Sequence, residues 1–323
     1  MTAETIDLSV IIVNWNTREL LLRCLETLYP SLTGIRHEVI VVDNDSQDGS
    51  VGAVREQFPE ATILANSKNL GFARANNQAF RQARGRYYLL LNSDVEVKPE
   101  AIPGTIRFLD DRPRAGAAGI QLFFPDGRKQ NSFDSFPTIA TEILNKSLLR
   151  WLFPKALPSK NQEYTDPLPV DIVIGAFLMV RREAVEEVGP FDEKFFLFME
   201  EADWCLRMRR SGWEIYHLPH LTAIHHHGAS KRKLESASWI EYYRSTYIYF
   251  RKHRSLVAYV WLRVLRFFKM FVNLGLTTLG LIVTGFRRER HRKKFFIYLD
   301  VVLWHLALCP EQAGLRKWAT RRP

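Results

Sequence analysis

Three short polar clusters in this chain hold residue types that do chemistry. Asn92-Ser93-Asp94 closes the apolar run Tyr87 to Leu91; Glu200, Glu201 and Asp203 sit together amid Phe and Met; His225-His226-His227 follows a β-like stretch. A carboxylate beside a neutral amide suits a divalent cation carrying a diphosphate, because Mg2+ and Mn2+ prefer oxygen ligands and share them with phosphate. Asp94 would serve equally as a strand-end cap bonded to backbone amides. Carboxylates in a partly apolar wall can accept a proton from an attacking hydroxyl, whereas the same residues at a helix start can simply cap it. Neighbouring histidines on an extended chain point to opposite sides, so one of them, not all three, can face a given metal.

Two further stretches are rich in hydrogen-bonding groups. Asp43-Asn44-Asp45-Ser46-Gln47-Asp48-Gly49-Ser50 lacks glycines at phosphate-cradle spacing, which rules out a P-loop or dinucleotide fingerprint. Its carboxylates and amides can accept bonds from a base or ribose, or build an Asp- and Ser-rich turn. In Asn69-Leu-Gly-Phe-Ala-Arg-Ala-Asn-Asn77, Gly71 permits close approach and Arg74 is a planar cation that suits phosphate. Asn76 and Asn77 taken alone read as ordinary helix polarity.

The elements that must hold these groups follow from periodicity. Leu8 to Val13, Glu38 to Val42 and Thr62 to Leu64 are short apolar runs separated by helical patterns, and Tyr87 to Leu91 is a fourth. That alternation predicts right-handed βαβ units and a parallel sheet, whose ligands bind at the carboxyl edge. Beyond it, Gly119 to Phe124, a Pro125-Asp126-Gly127 turn and a returning arm over Arg128 to Phe133 predict a hairpin. The proline-rich stretch Trp151 to Pro169 reads as a loop, either an acceptor-side flap or a surface linker. Val170 to Val180 reads as a buried strand broken by Gly175.

Composition narrows the class. With 46% hydrophobic and 25% charged residues, the 323-residue chain is an ordinary folded protein. Cys24, Cys205 and Cys309 lie far apart, which suggests neither disulfides nor a thiolate metal site and fits a reducing compartment. The start, MTAETIDL, has no signal-peptide pattern. The net charge of +10 is confined to the end: residues 251–323 carry 16 Lys and Arg against three acids, leaving −3 for the rest. No nucleic-acid partner is expected, since the larger part of the chain has no basic patch interleaved with aromatics.

LSVIIVNWNT, VVDNDSQDGS, NLGFARANN and LLLNSDVEV, in that order and spacing, resemble the nucleotide-binding half of the inverting family 2 glycosyltransferases of GT-A fold, especially their rhamnosyltransferase-like branch. The resemblance implies one α/β domain over residues 1–250, Rossmann-like, with a mostly parallel central sheet flanked by helices. Its nucleotide half would cover about 1–118 and its acceptor half 119–250. It also implies a nucleotide-sugar-binding set of Asp43, Asn44, Asn69, Arg74, Asn76, Asn92 and Asp94, with Asp43 at the base or ribose and Asn92 and Asp94 at the diphosphate. Members place the catalytic base in an acidic pair followed two residues on by Asp, which Glu200-Glu201-Ala202-Asp203 matches with Glu201 at the base position and Glu200 as the alternative. They also place a histidine six residues beyond a proline; Pro219 to His225 keeps that spacing, making Asp94 and His225 the expected ligands of Mg2+ or Mn2+. Where many relatives carry Asp-x-Asp, this chain has Asn92-Ser93-Asp94 and so a single carboxylate.

In the tail, Ser255 to Phe286 is apolar with Arg263, Arg266 and Lys269 in its first half; RRERHRKK separates it from a second apolar stretch, Phe295 to Cys309. The uncharged 17 residues from Met270 to Phe286 would span roughly 26 Å as a helix, short of a hydrocarbon core of about 30 Å. Residues 251–323 are therefore expected to lie on an anionic inner leaflet with snorkelling cations; a spanning segment and helices packed on the enzyme are the alternatives. The resemblance adds a nucleotide-sugar donor, dTDP-rhamnose favoured over UDP- or GDP-sugars, and a polyprenyl-diphosphate-linked acceptor at the cytoplasmic face of the membrane in cell-surface polysaccharide assembly. A non-catalytic, membrane-attached scaffold of the same fold stands as the rival.

Overall fold

The computed structural model describes residues 6–154, 157–159, 162–226, 235–285 and 287–319. Lys155, Ala156, Lys160 and Asn161 of the expected flap, and His227 of the histidine run, lie outside the described residues. The chain forms two compact units, Met1–Phe136 with Pro158–Glu193 and Glu200–Ser230, and Pro137–Leu157 with Lys194–Met199 and Lys231–Pro323.

The first unit opens with the expected alternation: β1 (Leu8–Asn14), α1 (Arg18–Ser31), β2 (His37–Asp43), α2 (Ser50–Gln57), β3 (Thr62–Ala65), α3 (Phe72–Phe80) and β4 (Tyr87–Asn92). These strands run parallel in the order β3-β2-β1-β4. All of β4 from Tyr87 to Leu91 is buried, as a parallel strand covered on both faces must be. Asn14 pairs with Asp43 and Val13 with Asn92, so register alone brings the polar ends of β1, β2 and β4 to one edge.

The chain continues through β5 (Val95–Val97), α4 (Ala101–Asp110), β6 (Ala115–Phe123) and β7 (Phe133–Asp134), then α5 (Ile139–Ile143) and α6 (Lys146–Leu152) of the second unit. It returns with β8 (Leu168–Pro169), β9 (Ile172–Val173), β10 (Phe177–Arg181), α7 (Arg182–Val188), α8 (Glu200–Arg210) and β11 (Glu214–His225). Beyond β4 the sheet turns mixed: β10 lies antiparallel between β4 and β6, β11 is parallel to β6, and β5 and β8 flank β11 antiparallel.

Val170 to Val180 is not one strand, because β9 leaves to pair with β7 while β10 joins the main sheet. Gly119 makes the crossing possible, since a Cβ there would lie 2.0 Å from Val173 Cγ1. The Trp151–Pro169 stretch is not loop throughout: α6 runs into its start and β8 at its end pairs with β11.

Strand β11 carries Pro219, which has no N–H to give the ladder, and its register with β6 shifts between Leu218 and Thr222. The shifted strand then pairs His225 with Val95, next to Asp94. Earlier on the same strand, His217 is fully buried beside the Phe133 ring, and neither ring nitrogen has a hydrogen-bond partner among the described residues. Burial, helped by the charge of Lys129, pushes its pKa down to about 4. A folded-state value below the unfolded 6.5 means that the unfolded chain takes up the proton first as pH falls. Stability is expected to drop by up to about 3 kcal/mol between pH 6.5 and 4. Urea midpoints across that range should show the loss, and His217→Leu should flatten it.

The second unit is helical: α5, α6, α9 (Glu235–His253), α10 (Leu256–Val283), α11 (Glu289–Leu306) and α12 (Leu315–Ala319). Its first long helix begins well before residue 251, because α9 buries Tyr243, Tyr247, Tyr249 and Phe250 together with Glu241 and Arg244. Those aromatics and that ion pair need the helices that follow, with Arg244 capping the carbonyls of Pro310 and Ala313 at 3.0 Å. The expected boundary at 250/251 thus differs from the compact unit, which takes in Lys231 onward and two earlier segments.

Of the three cations of α10, Arg266 is buried, Arg263 half-buried and Lys269 exposed. Arg266 is 1% exposed, paired with Glu142 and stacked 4.4 Å over the Tyr243 ring. Arg263 bonds Tyr259 and Cys309, and Lys269 donates to the Ile143 carbonyl at 2.6 Å. With Arg263 and Arg266 turned into the unit, the exposed face of α10 is largely apolar: Trp261, Val264, Phe268, Phe271, Leu276, Leu279 and Ile282 are all about half or more exposed.

Candidate active site

The carboxyl edge of β1, β2 and β4 is a connected polar network. Asp43, buried at the end of β2, accepts from Asn14 Nδ2 at 2.8 Å and from the Ser46 amide at 2.9 Å. Asn14 Oδ1 accepts from Thr17 at 2.6 Å, and Thr17 meets Ser93 at 2.8 Å. Asp43 is thereby tied to the Asn92-Ser93-Asp94 corner. Asn14 and Thr17 were not among the expected site residues, although Asn14 ends β1 and Thr17 stands in the polar turn that follows it.

The remaining expected nucleotide ligands divide. Asn44 is a bolt: its amide donates to the Gly71 carbonyl and accepts from Asn66, leaving it committed inside the protein. Asn69 caps the turn at Gly71, whose φ of 84° only glycine adopts freely. Asn76 bonds back to the Phe72 carbonyl within α3. Arg74, half exposed, pairs with Glu193 at 2.8 Å, a contact weak enough at the surface to exchange for phosphate. Its neighbour Asn77, read from sequence as simple helix polarity, clamps Phe191 by both its donor and acceptor.

That clamp also serves the acidic helix. The segment from Val188 to Glu193 is gripped on one side by Asn77 and Arg74 and on the other by α8. Arg207 donates to the carbonyls of Val188, Gly189 and Pro190, and the Trp204 indole to that of Gly189. Asp203, with no exposed surface, holds Arg207 at 2.9 Å. Asp203 thereby helps hold Arg207 against those carbonyls and so positions α8. Phe198 and Met199 carry left-handed backbone, φ 71° and 67°, a costly conformation for non-glycine residues. Glu200 is 4% exposed and Glu201 is partly exposed.

Asp94 and His225 do meet. Asp94 Oδ1 lies 3.2 Å from His225 Nε2, with both side chains nearly buried. Gln130, on the arm returning from the expected Pro125-Asp126-Gly127 turn, decides the imidazole's state. Its amide donates to the carbonyls of His225 and Phe123, which turns Oε1 onto His225 Nδ1 at 2.9 Å. Nδ1 must then carry the hydrogen, which leaves Nε2 as the nitrogen that faces the carboxylate; in the neutral imidazole it is an acceptor there. Two such acceptors tolerate this distance only with a proton or a cation between them, so the donor set fits a divalent ion. Among the described residues no group of three or more His, Cys, Asp or Glu side chains converges; the pair would share its ion with phosphate oxygens, as Mg2+ and Mn2+ sites do. His226 points to the opposite side, onto Glu96 at 2.5 Å, as strand alternation requires.

A mixed sheet with a polar carboxyl edge belongs to many proteins, and the chain's relatives narrow the choice. The family model described as Glycosyl transferase family 2 matches residues 9–189. The chain belongs to this family. The N-acetylglucosaminyl-diphospho-decaprenol L-rhamnosyltransferase of Mycobacterium tuberculosis is 28% identical over 270 residues, 79% of this chain and 86% of that protein. Rhamnosyltransferase WbbL of Escherichia coli is 27% identical over 195 residues, 58% of this chain and 72% of that protein. Among solved structures, the mannosyltransferase PcManGT from Pyrobaculum calidifontis, in complex with GDP-Man and Mn2+, aligns with a TM-score of 0.57 at 16% identity, covering 97% of this chain and 88% of that one. That likeness carries the GT-A fold. The chain is thus an inverting glycosyltransferase, and the scaffold alternative gives way. Glu200, Glu201, Asp203 and His225 of this family 2 glycosyltransferase lie beyond the matched span, so their roles rest on the geometry above.

Proposed function

We propose that this glycosyltransferase moves rhamnose from dTDP-rhamnose onto a polyprenyl-diphosphate-linked saccharide at the cytoplasmic face of a membrane. The observation that carries the reading is the kinship, along 86% of its length, with an enzyme whose name gives a diphospho-decaprenol acceptor and a rhamnosyl product. UDP- and GDP-sugars are the competing donors.

In this mechanism the nucleotide lies along the edge of β1, β2 and β4, with Asp43 accepting from base or ribose and Arg74 leaving Glu193 for the diphosphate. Asp94 and His225 would hold Mg2+ or Mn2+, which when bound offsets the charge of the departing nucleoside diphosphate. Glu201, more exposed than Glu200, takes the proton of the acceptor hydroxyl as that oxygen attacks the anomeric carbon from the face opposite the leaving group. Gln130 acts by fixing the His225 tautomer. Gln130→Leu is expected to weaken Mn2+ activation about 10- to 100-fold while leaving the fold intact, read as the metal concentration for half-maximal nucleotide release.

The second unit supports a monotopic attachment. Helix α10 has 28 residues, roughly 42 Å, and is long and apolar enough to cross a bilayer. Crossing would carry the buried Arg266–Glu142 pair into hydrocarbon, whereas lying in the interface leaves that pair inside the unit and uses the one apolar face. Nucleoside-diphosphate release from dTDP-, UDP- and GDP-sugars, with a lipid-linked acceptor extract and with Mg2+, Mn2+ or EDTA, tests the assignment. Acceptor-dependent release from dTDP-rhamnose alone is expected, and release from another donor would replace it.

A further inference from the structure

The segment Leu144 to Phe153 leaves five large apolar side chains in water: Leu144, Leu148, Trp151, Leu152 and Phe153, from 50% to 76% exposed, with only Leu149 buried. Such a concentration is not the scatter of apolar residues any surface carries. Its base is firmly built. A capping box at Thr138 and Thr141 starts α5, and the Asn145 side chain caps α6 by accepting from the amides of Ser147 and Leu148. Three cations hold the base: Arg254 on the Pro137 carbonyl, Arg266 on Glu142 and Lys269 on the Ile143 carbonyl. The tip is thus a formed, anchored helix that presents Leu and Trp with Lys146 and Arg150 among them.

We infer that α6 is a second membrane-inserting element, a wedge that enters the headgroup region of an anionic bilayer beside α10. The inference rests on the membrane attachment proposed above and adds an element of which only the end, from Trp151, fell in the expected flap or linker. The occupant follows from charge and from the neighbouring surface. Residues 251–323 of the same unit carry 16 cationic residues against three acidic ones, which suits anionic lipid and repels a second copy of itself. The residues of α10 that anchor the wedge, Arg266 and Lys269, alternate with its exposed Val264, Phe268 and Phe271, so the apolar surfaces of α6 and α10 belong to one packed unit. Trp and Phe flanked by Lys and Arg is the composition of an interfacial helix.

The test uses the full chain with Leu152→Cys and Cys309→Ser, labelled with an environment-sensitive fluorophore; Cys24 and Cys205 are buried and should not react. With phosphatidylglycerol-containing vesicles the label is expected to shift to the blue and to be quenched by nitroxide-bearing acyl chains. Pure phosphatidylcholine should give little of either. The double variant Leu148→Glu, Trp151→Glu should lower vesicle partitioning about tenfold with donor binding unchanged, which also confirms its folding. Co-sedimentation with vesicles but no quenching at position 152 would overturn the wedge while leaving the attachment through α10 standing. Failure of the unmodified chain to co-sediment would overturn both. A blue shift that grows with protein concentration without vesicles would assign the tip to a second copy and overturn the inference.

Discussion

Glu201→Gln is expected to lower acceptor-dependent nucleotide release by about 10²- to 10⁴-fold while donor affinity stays within a few-fold. The substitution keeps the side chain's length and shape but removes the site that takes up the proton. The rest of the apparatus is untouched: Asp203 still holds Arg207, and Arg207 and Trp204 still grip the carbonyls of Val188 to Pro190, so α8 should keep its place. The paired substitution Glu200→Gln separates two roles. Glu200 is nearly buried, and its loss should register in melting temperature more than in turnover. If Glu200→Gln abolished turnover and Glu201→Gln spared it, the two assignments would exchange. Asp203→Asn makes a third case, since weakening its hold on Arg207 loosens the segment shared by α3 and α8 and should disturb donor binding and turnover together.

The polar carboxyl edge of β1, β2 and β4 was legible because its information is local. Each strand ends in its polar residues, and once β1, β2 and β4 are parallel, register brings Asn14, Asp43 and Asn92 to one edge. The internal commitments were not legible. Nothing in DNDSQDGS separates Asp43, whose oxygens meet Asn14 and Ser46 at the edge, from Asn44, which locks onto Gly71 and Asn66. Gln130 was invisible for a different reason: it reaches His225 across 95 residues, through a turn on one side and a proline-shifted strand on the other. In the tail, sequence spacing placed Arg263, Arg266 and Lys269 on an apolar helix but could not say which way they face. Their partners, Glu142 and the Ile143 carbonyl among them, come from a segment more than 100 residues earlier.

The single carboxylate of Asn92-Ser93-Asp94 makes the second large effect sharper than it would be in a chain with two. Asp94→Asn removes the only acidic oxygen of the pair and puts an amide 3.2 Å from His225 Nε2. An amide N–H can donate to that lone pair, so the histidine becomes satisfied without any cation. Activation by Mn2+ is expected to fall at least about 100-fold, whereas the metal-free melting temperature should hold or rise. The opposite signs are what distinguish a ligand from a strand-end cap. A carboxylate that only bonded backbone amides would lose stability on conversion to amide and leave the metal response alone. His225→Asn should lose the metal response as Asp94→Asn does, but with a loss of stability, because Gln130 is then left facing a side chain too short to meet its buried Oε1. Unchanged Mn2+ activation in both variants would detach the metal from this pair and leave Asp94 as a structural carboxylate at the sheet's edge.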